Sequence, residues 1–238
     1  MYLVSLQLKT TQDFNYNLEY LISLINKEKE NSFILAPELV LTGYSYNNMQ
    51  DASLFTNIAI EKLLKLSINK TIAITMITKK KDKYLNTFYL FHNNKIVHTQ
   101  SKNKLFVLND ERKFFTKGKK KDIKIFEINN LKIAVLICFE LRFIDLWKQI
   151  QGADIILIPA MWGKKRAKHL SILSKSLAVL NQCFVVVSDS ANDDMAKNSA
   201  IISPFGETYK NNKKEIISQN INLKEIKLMR RYMNTGIK

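Results

Sequence analysis

LKIAVLICFELRFIDLW, residues 131–147, is the stretch whose reading decides the fold. Ile133, Ala134, Val135, Leu136 and Ile137 make a continuous apolar run of the length of a buried strand, and Leu141 to Trp147 carry the spacing of an amphipathic helix. Between the two, the chain delivers Cys138 into a charged turn. A thiol at the mouth of a strand-to-helix turn lies at the strand's carboxyl edge, with the next backbone N–H groups directed at whatever the sulfur attacks. It is equally the place of a small buried hydrophobe, where most free cysteines reside. This stretch alone leaves both readings open.

Working outward, similar apolar runs recur. MYLVSLQL (1–8), FILA (33–36), TIAITMIT (71–78), ADIILIPAMW (153–162), CFVVVSD (183–189) and SAIISPFGE (199–207) read as strands, with a further one at 123–127. YLNTFYLFH (84–92) and KIVHTQ (95–100) read as a hairpin turned at Asn93 and Asn94. Helical spacing covers 14–27, with Asp13 as N-cap, and then 52–66, 166–180 and 224–232. Strands and helices alternate, with antiparallel hairpins inserted, which predicts a layered α/β sandwich. Glu38 follows FILAP, and Lys102 follows the hairpin. In α/β sheets, ligands bind outside the carboxyl ends of strands, so Glu38, Lys102 and Cys138 stand as reactive groups at three such ends.

The 238 residues, 46% of them hydrophobic, predict one domain with a sizeable core. No apolar run reaches the ~20 residues of a membrane span, and the N-terminus lacks a signal pattern, so a cytosolic protein without membrane contact is expected. A net charge of +16 suggests nucleic acid, but arginine occurs only at 112, 142, 166, 230 and 231. Readers of phosphate and base edges favour arginine's planar fork, so a solvated lysine surface is the expectation and nucleic-acid binding is the alternative class. Cys138 and Cys183 make no disulfide framework. No HExxH or Cys-x-x-Cys motif occurs, and three scattered histidines give no ligand set, so neither metal nor cofactor is expected.

LAPELVLTGY (35–44), SKNKLF (101–106) and LICFELRF (136–143), in this order and spacing, resemble the nitrilase or carbon-nitrogen hydrolase superfamily. ILIPAMW, LNQCFVV and SAIISPFGE extend the likeness along nearly the whole chain, and it is nearest to the short bacterial omega-amidase-like branch. The resemblance implies an αββα sandwich, a back-to-back homodimer, and a Glu-Lys-Cys triad acting on small amides without cofactor. By motif position, Glu38 is the expected general base, Lys102 the cation beside the oxyanion, and Cys138 the nucleophile. Glu111 falls where relatives often carry a second, substrate-positioning glutamate, and His169 where they carry a histidine. Nitriles and N-carbamoyl compounds are alternative substrates of the same triad.

The chemistry suits these residue types. A free thiol is only a few per cent ionised at neutral pH, so a carboxylate that takes its proton helps attack. A lysine ammonium and the Phe139 N–H would stabilise the developing oxyanion. Lys104 competes with Lys102, because only the family register separates them. Tyr44, Met161 and Trp162 are candidates for the pocket wall or for the core, and Cys183 reads as core. Departures from the pattern are CFE for the commoner CYD, Leu180 for a usual glutamate, Asn198 near a usual glycine, and a short 189–198 loop.

Overall fold

Alternation along the apolar runs sorts their side chains between two faces, and this decides how the layers stack. The computed structural model describes residues 1–237. Its strands are β1 (Tyr2–Leu6), β2 (Ser32–Leu35), β3 (Thr71–Lys80), β4 (Lys83–His92), β5 (Lys95–Ser101), β6 (Phe126–Ile128), β7 (Leu131–Val135), β8 (Ile155–Ala160), β9 (Phe184–Asp189), β10 (Ala200–Ile202), β11 (Thr208–Tyr209) and β12 (Ile216–Asn220). They form two six-stranded sheets, ordered β12-β1-β2-β3-β4-β5 and β11-β10-β9-β8-β7-β6. β1, β2 and β3 run parallel, as do β7, β8 and β9, while the hairpins add antiparallel edges.

Val4, Ile34 and Ile72 are paired across β1, β2 and β3. They face α1 (Phe14–Lys27) and α2 (Met49–Leu66), whose Leu18, Leu21, Ile25, Phe55 and Leu63 complete an outer core. The alternate residues Leu3, Phe33, Leu35 and Ala73 point the other way and join the core shared with the second sheet. The short helices α3 (Glu111–Phe114) and α4 (Ile144–Gln149) lie in connections, α5 (Ala167–Asn181) buries Leu170, Leu177 and Ala178 against the second sheet, and α6 (Lys224–Tyr232) closes the described chain. The order helix, sheet, sheet, helix is the αββα sandwich expected from the sequence.

Local signals explain the element boundaries. Asp13 caps α1 by accepting the Tyr16 N–H at 2.9 Å. Asn93 and Asn94, both with positive φ, turn the β4–β5 hairpin. Three expectations shift. α2 begins at Met49 rather than 52, because a 3₁₀ turn at Tyr46–Asn48 leads straight into it. The strand expected at 123–127 starts at Phe126, since Ile123 ends a 3₁₀ turn and plugs the core. The helix expected at 141–147 is split into a 3₁₀ turn at Cys138–Arg142 and α4, with extended backbone at Phe143 between them.

Gly118 holds the end of β5 from the side: its N–H donates to Lys102 O at 2.8 Å, and its carbonyl accepts from Asn103 Nδ2 at 2.7 Å. A Cβ here would lie 2.0 Å from Ser101 O, so the backbone must shift to admit one. Gly118→Ala is expected to cost roughly 1–3 kcal/mol, read as a lowered midpoint in thermal denaturation, and to reduce activity by displacing Lys102.

Candidate active site

Four strand ends on one edge of the sandwich supply the site. β2 runs through Ala36 and Pro37 to Glu38, whose N–H donates across to Ala160 O, at the end of β8, at 3.2 Å. Leu39 then takes φ +48° and donates its N–H to Thr75 Oγ1 at 2.7 Å, which turns the chain away and leaves Glu38 pointing inward. β5 ends at Ser101 and presents Lys102, whose backbone N–H is held by Asn86 O at 2.8 Å. β7 leads to Cys138, which takes φ +48°; a left-handed non-glycine residue of this kind persists only where the surroundings enforce it.

The side chains converge. Lys102 Nζ donates to Glu38 Oε1 at 2.7 Å and to Glu111 Oε1 at 2.8 Å, and Lys102 and both glutamates are 0% exposed. Asn86 Nδ2 donates to Glu38 Oε1 at 2.9 Å. The Tyr44 hydroxyl lies 3.0 Å from Glu38 Oε2 and 2.7 Å from Glu111 Oε1, so its one proton is shared between two acceptors. Glu111 Oε2 is buried with no protein partner. The Cys138 thiol adjoins the same cluster: the Glu38 and Lys102 charges and the Met161 backbone N–H all act on it.

Charge sets the protonation of the cluster. Burial, then the Glu38 charge, raise the Cys138 pKa well above the ordinary thiol value against the pull of Lys102, so the resting sulfur keeps its proton. Burial works against the Lys102 ammonium, but Glu38, Cys138 and Glu111 outweigh it and its pKa stands above the usual lysine value. Burial, with the Glu38 charge, raises Glu111 against Lys102. The arrangement thus holds a neutral thiol beside a carboxylate and a fixed cation. These are the parts that thiol attack on an amide requires: an acceptor for its proton and a charge near the developing oxyanion.

Cys138 opens into a pocket lined by Phe106, Phe139, Arg142, Met161, Trp162 and Arg166. The Arg142 guanidinium lies 4.7 Å from the Trp162 ring centroid, and that of Arg166 lies 5.0 Å from Phe106. Desolvation and the neighbouring Arg166 charge lower the Arg142 pKa. Two cations held together on aromatic faces favour an anion between them. Asp189, buried at the end of β9, accepts the N–H of Trp162 at 3.0 Å and of Asn198 at 3.1 Å, fixing one wall.

The structure brings Glu38, Lys102, Cys138, Glu111 and Tyr44 into contact and places Phe139, Met161 and Trp162 on the wall. His169 is exposed, 3.0 Å from Arg142 Nη2, and lies outside the pocket lining. Lys104 Nζ sits 4.5 Å from the Phe143 ring centroid and outside the carboxylate cluster. Cys183 is fully buried in the core. Asn198 Nδ2 binds Ala167 O and Ser171 Oγ, each at 2.8 Å, so its side chain ties the short loop to α5. Leu180 is exposed on α5. Asn86, Asp189, Arg142 and Arg166 escape the motif reading. For the arginines a signal exists: two of the five in a lysine-rich chain stand at one pocket. Among the described residues, no group of three His, Cys, Asp or Glu could hold a metal ion.

The carbon-nitrogen hydrolase family profile matches residues 3–231. The chain belongs to that family. This hydrolase is 28% identical over 215 residues to a 2-oxoglutaramate amidase of Bacillus subtilis, covering 84% of this chain and 82% of that one. It is 27% identical over 202 residues to the omega-amidase YafV of Yersinia enterocolitica, covering 82% and 78%. Its fold superposes on Saccharomyces cerevisiae Nit3, a member of the nitrilase superfamily, with a TM-score of 0.86 at 20% identity, covering 99% and 95% of the two chains. A carbon-nitrogen hydrolase from Helicobacter pylori gives 0.87 at 15% identity, covering 98% and 93%. The hydrolase therefore acts on carbon-nitrogen bonds other than peptide bonds, within a family whose similar relatives are named amidases.

Proposed function

We propose that the chain is a single-domain amidase that hydrolyses a small carboxamide of the omega-amide type through a Cys138 thioester. The observation that carries this reading is the cluster itself: one buried ammonium held by two carboxylates beside a thiol at a strand end. Cys138 Sγ attacks the amide carbon while Glu38 takes the thiol proton. Lys102 and the Phe139 N–H stabilise the oxyanion. As the C–N bond breaks, Glu38 returns the proton to the leaving nitrogen and ammonia departs. Water, deprotonated by Glu38, then cleaves the thioester to the carboxylate and restores the thiol. In this reading Glu111, whose Oε2 has no protein partner, orients the amide N–H₂.

Arg142 and Arg166 support a substrate that carries a carboxylate as well as the amide, as omega-amides do. The relatives named 2-oxoglutaramate amidase and omega-amidase agree with that class. For assembly, we propose a homodimer through α5, where Ile172, Val179 and Leu180 are exposed and Gly206, next to the exposed Phe205 in the chain, lies against Val179.

Ammonia release should be measured over omega-amides, simple aliphatic amides, nitriles and N-carbamoyl compounds. Cys138→Ala is expected to lower turnover of the best amide by at least about 10³-fold, whereas Cys183→Ala stays within a few-fold; equal activity of the two variants rules the mechanism out. Lys102→Met should lose far more than Lys104→Met in the same assay. Arg142→Met is expected to raise KM for a carboxylate-bearing amide about tenfold or more and to leave a neutral aliphatic amide nearly unaffected; equal effects on both would reject carboxylate recognition. Leu180→Glu should halve the mass measured by light scattering if α5 forms the dimer interface.

A further inference from the structure

The carboxylate of CFE has no part in the chemistry above, yet Glu140 is 0% exposed. Its partners are two backbone N–H groups, one from its own turn and one from a segment far away in the sequence. Oε2 accepts the Ile137 N–H at 2.8 Å, and Oε1 accepts the Asn103 N–H at 2.6 Å. The Lys104 N–H adds a further stabilising contact. Ile137 directly precedes Cys138, and Asn103 directly follows Lys102. One carboxylate therefore ties together the segments that carry the sulfur and the ammonium, one from each sheet. Burial pushes its pKa up to about 7, so the fold tolerates a disfavoured charge at this spot.

We propose that Glu140 is a positioning residue that fixes the separation of Cys138 Sγ from Lys102 Nζ by holding one chain segment on each of its oxygens. The inference rests on the amidase reading of the site. A glutamine of the same shape has only one acceptor oxygen; its amide N–H₂ would face a backbone donor, so one of the two segments must let go. Aspartate keeps both acceptors on an arm one methylene shorter.

The test compares Glu140→Gln and Glu140→Asp with the unmodified enzyme by steady-state kinetics, circular dichroism and the rate of Cys138 alkylation by iodoacetamide, read by mass spectrometry. The Gln variant should lose about 10²-fold in kcat, the size of loss that an ångström of misplacement can produce, with KM nearly unchanged. The Asp variant should be affected in the same sense but less, and alkylation rates should fall in the same order. If Glu140→Gln does not fold, the Asp variant alone decides. Wild-type kcat and alkylation in either folded variant, or a loss that follows only the folded fraction, would overturn the proposal. If the unmodified protein turns over no amide while the alkylation order holds, the positioning inference stands and the amidase reading fails.

Discussion

The structure depends on a charge placed where water cannot reach it. The Lys102 ammonium is fully enclosed, and removing such an ion from water costs several kcal/mol even after relaxation. That cost is tolerable only because Glu38 and Glu111 both lie within hydrogen-bonding distance and Asn86 and Tyr44 bond to the carboxylates in turn. Take away the ammonium and two carboxylates are left in the core with no cation between them. The cluster is therefore a poor way to gain stability and a good way to hold a cation at one place.

The same constraint explains the irregular backbone around it. Leu39 and Cys138 both adopt left-handed conformations without being glycine. Leu39 directly follows Glu38, and Cys138 turns the chain at its own position; each lies just past the end of its strand, β2 and β7. The strain is supported by neighbours in regular structure, such as Thr75 on β3 and the Leu136 N–H bonded to Leu157 O of β8. The geometry of the cluster is thus stored in the packing of two sheets rather than in a flexible loop.

The layered architecture was legible in the sequence because alternation and β-branched runs report burial on one or two faces. The motif residues Glu38, Lys102 and Cys138 were legible because each ends an apolar run, and the family register then separated Lys102 from Lys104. What escaped depends on pairing across the chain. Asn86 reaches Glu38 only through the register of the β4–β5 hairpin, and nothing in YLNTFYLFH marks it. Asp189 looked like the polar end of a strand, and its role as a wall support appears only when β8 and β9 are aligned. The break in the helix after Cys138 was hidden because periodicity registers apolar spacing and is blind to a single extended residue such as Phe143.

The contact between the Glu38 N–H and Ala160 O has a wider consequence. It joins the two sheets at the edge that carries the cluster, and Ser5 and Ser188 make similar side-chain bridges between β1 and β9 deeper in the stack. Neither sheet carries the whole cluster: Glu38 and Lys102 follow strands of one and Cys138 a strand of the other. During synthesis the first sheet's five leading strands emerge well before the second sheet exists, so a nascent chain carries a buried-type cation and carboxylate with no sulfur beside them. The cluster is therefore completed late, in the step that docks the two sheets.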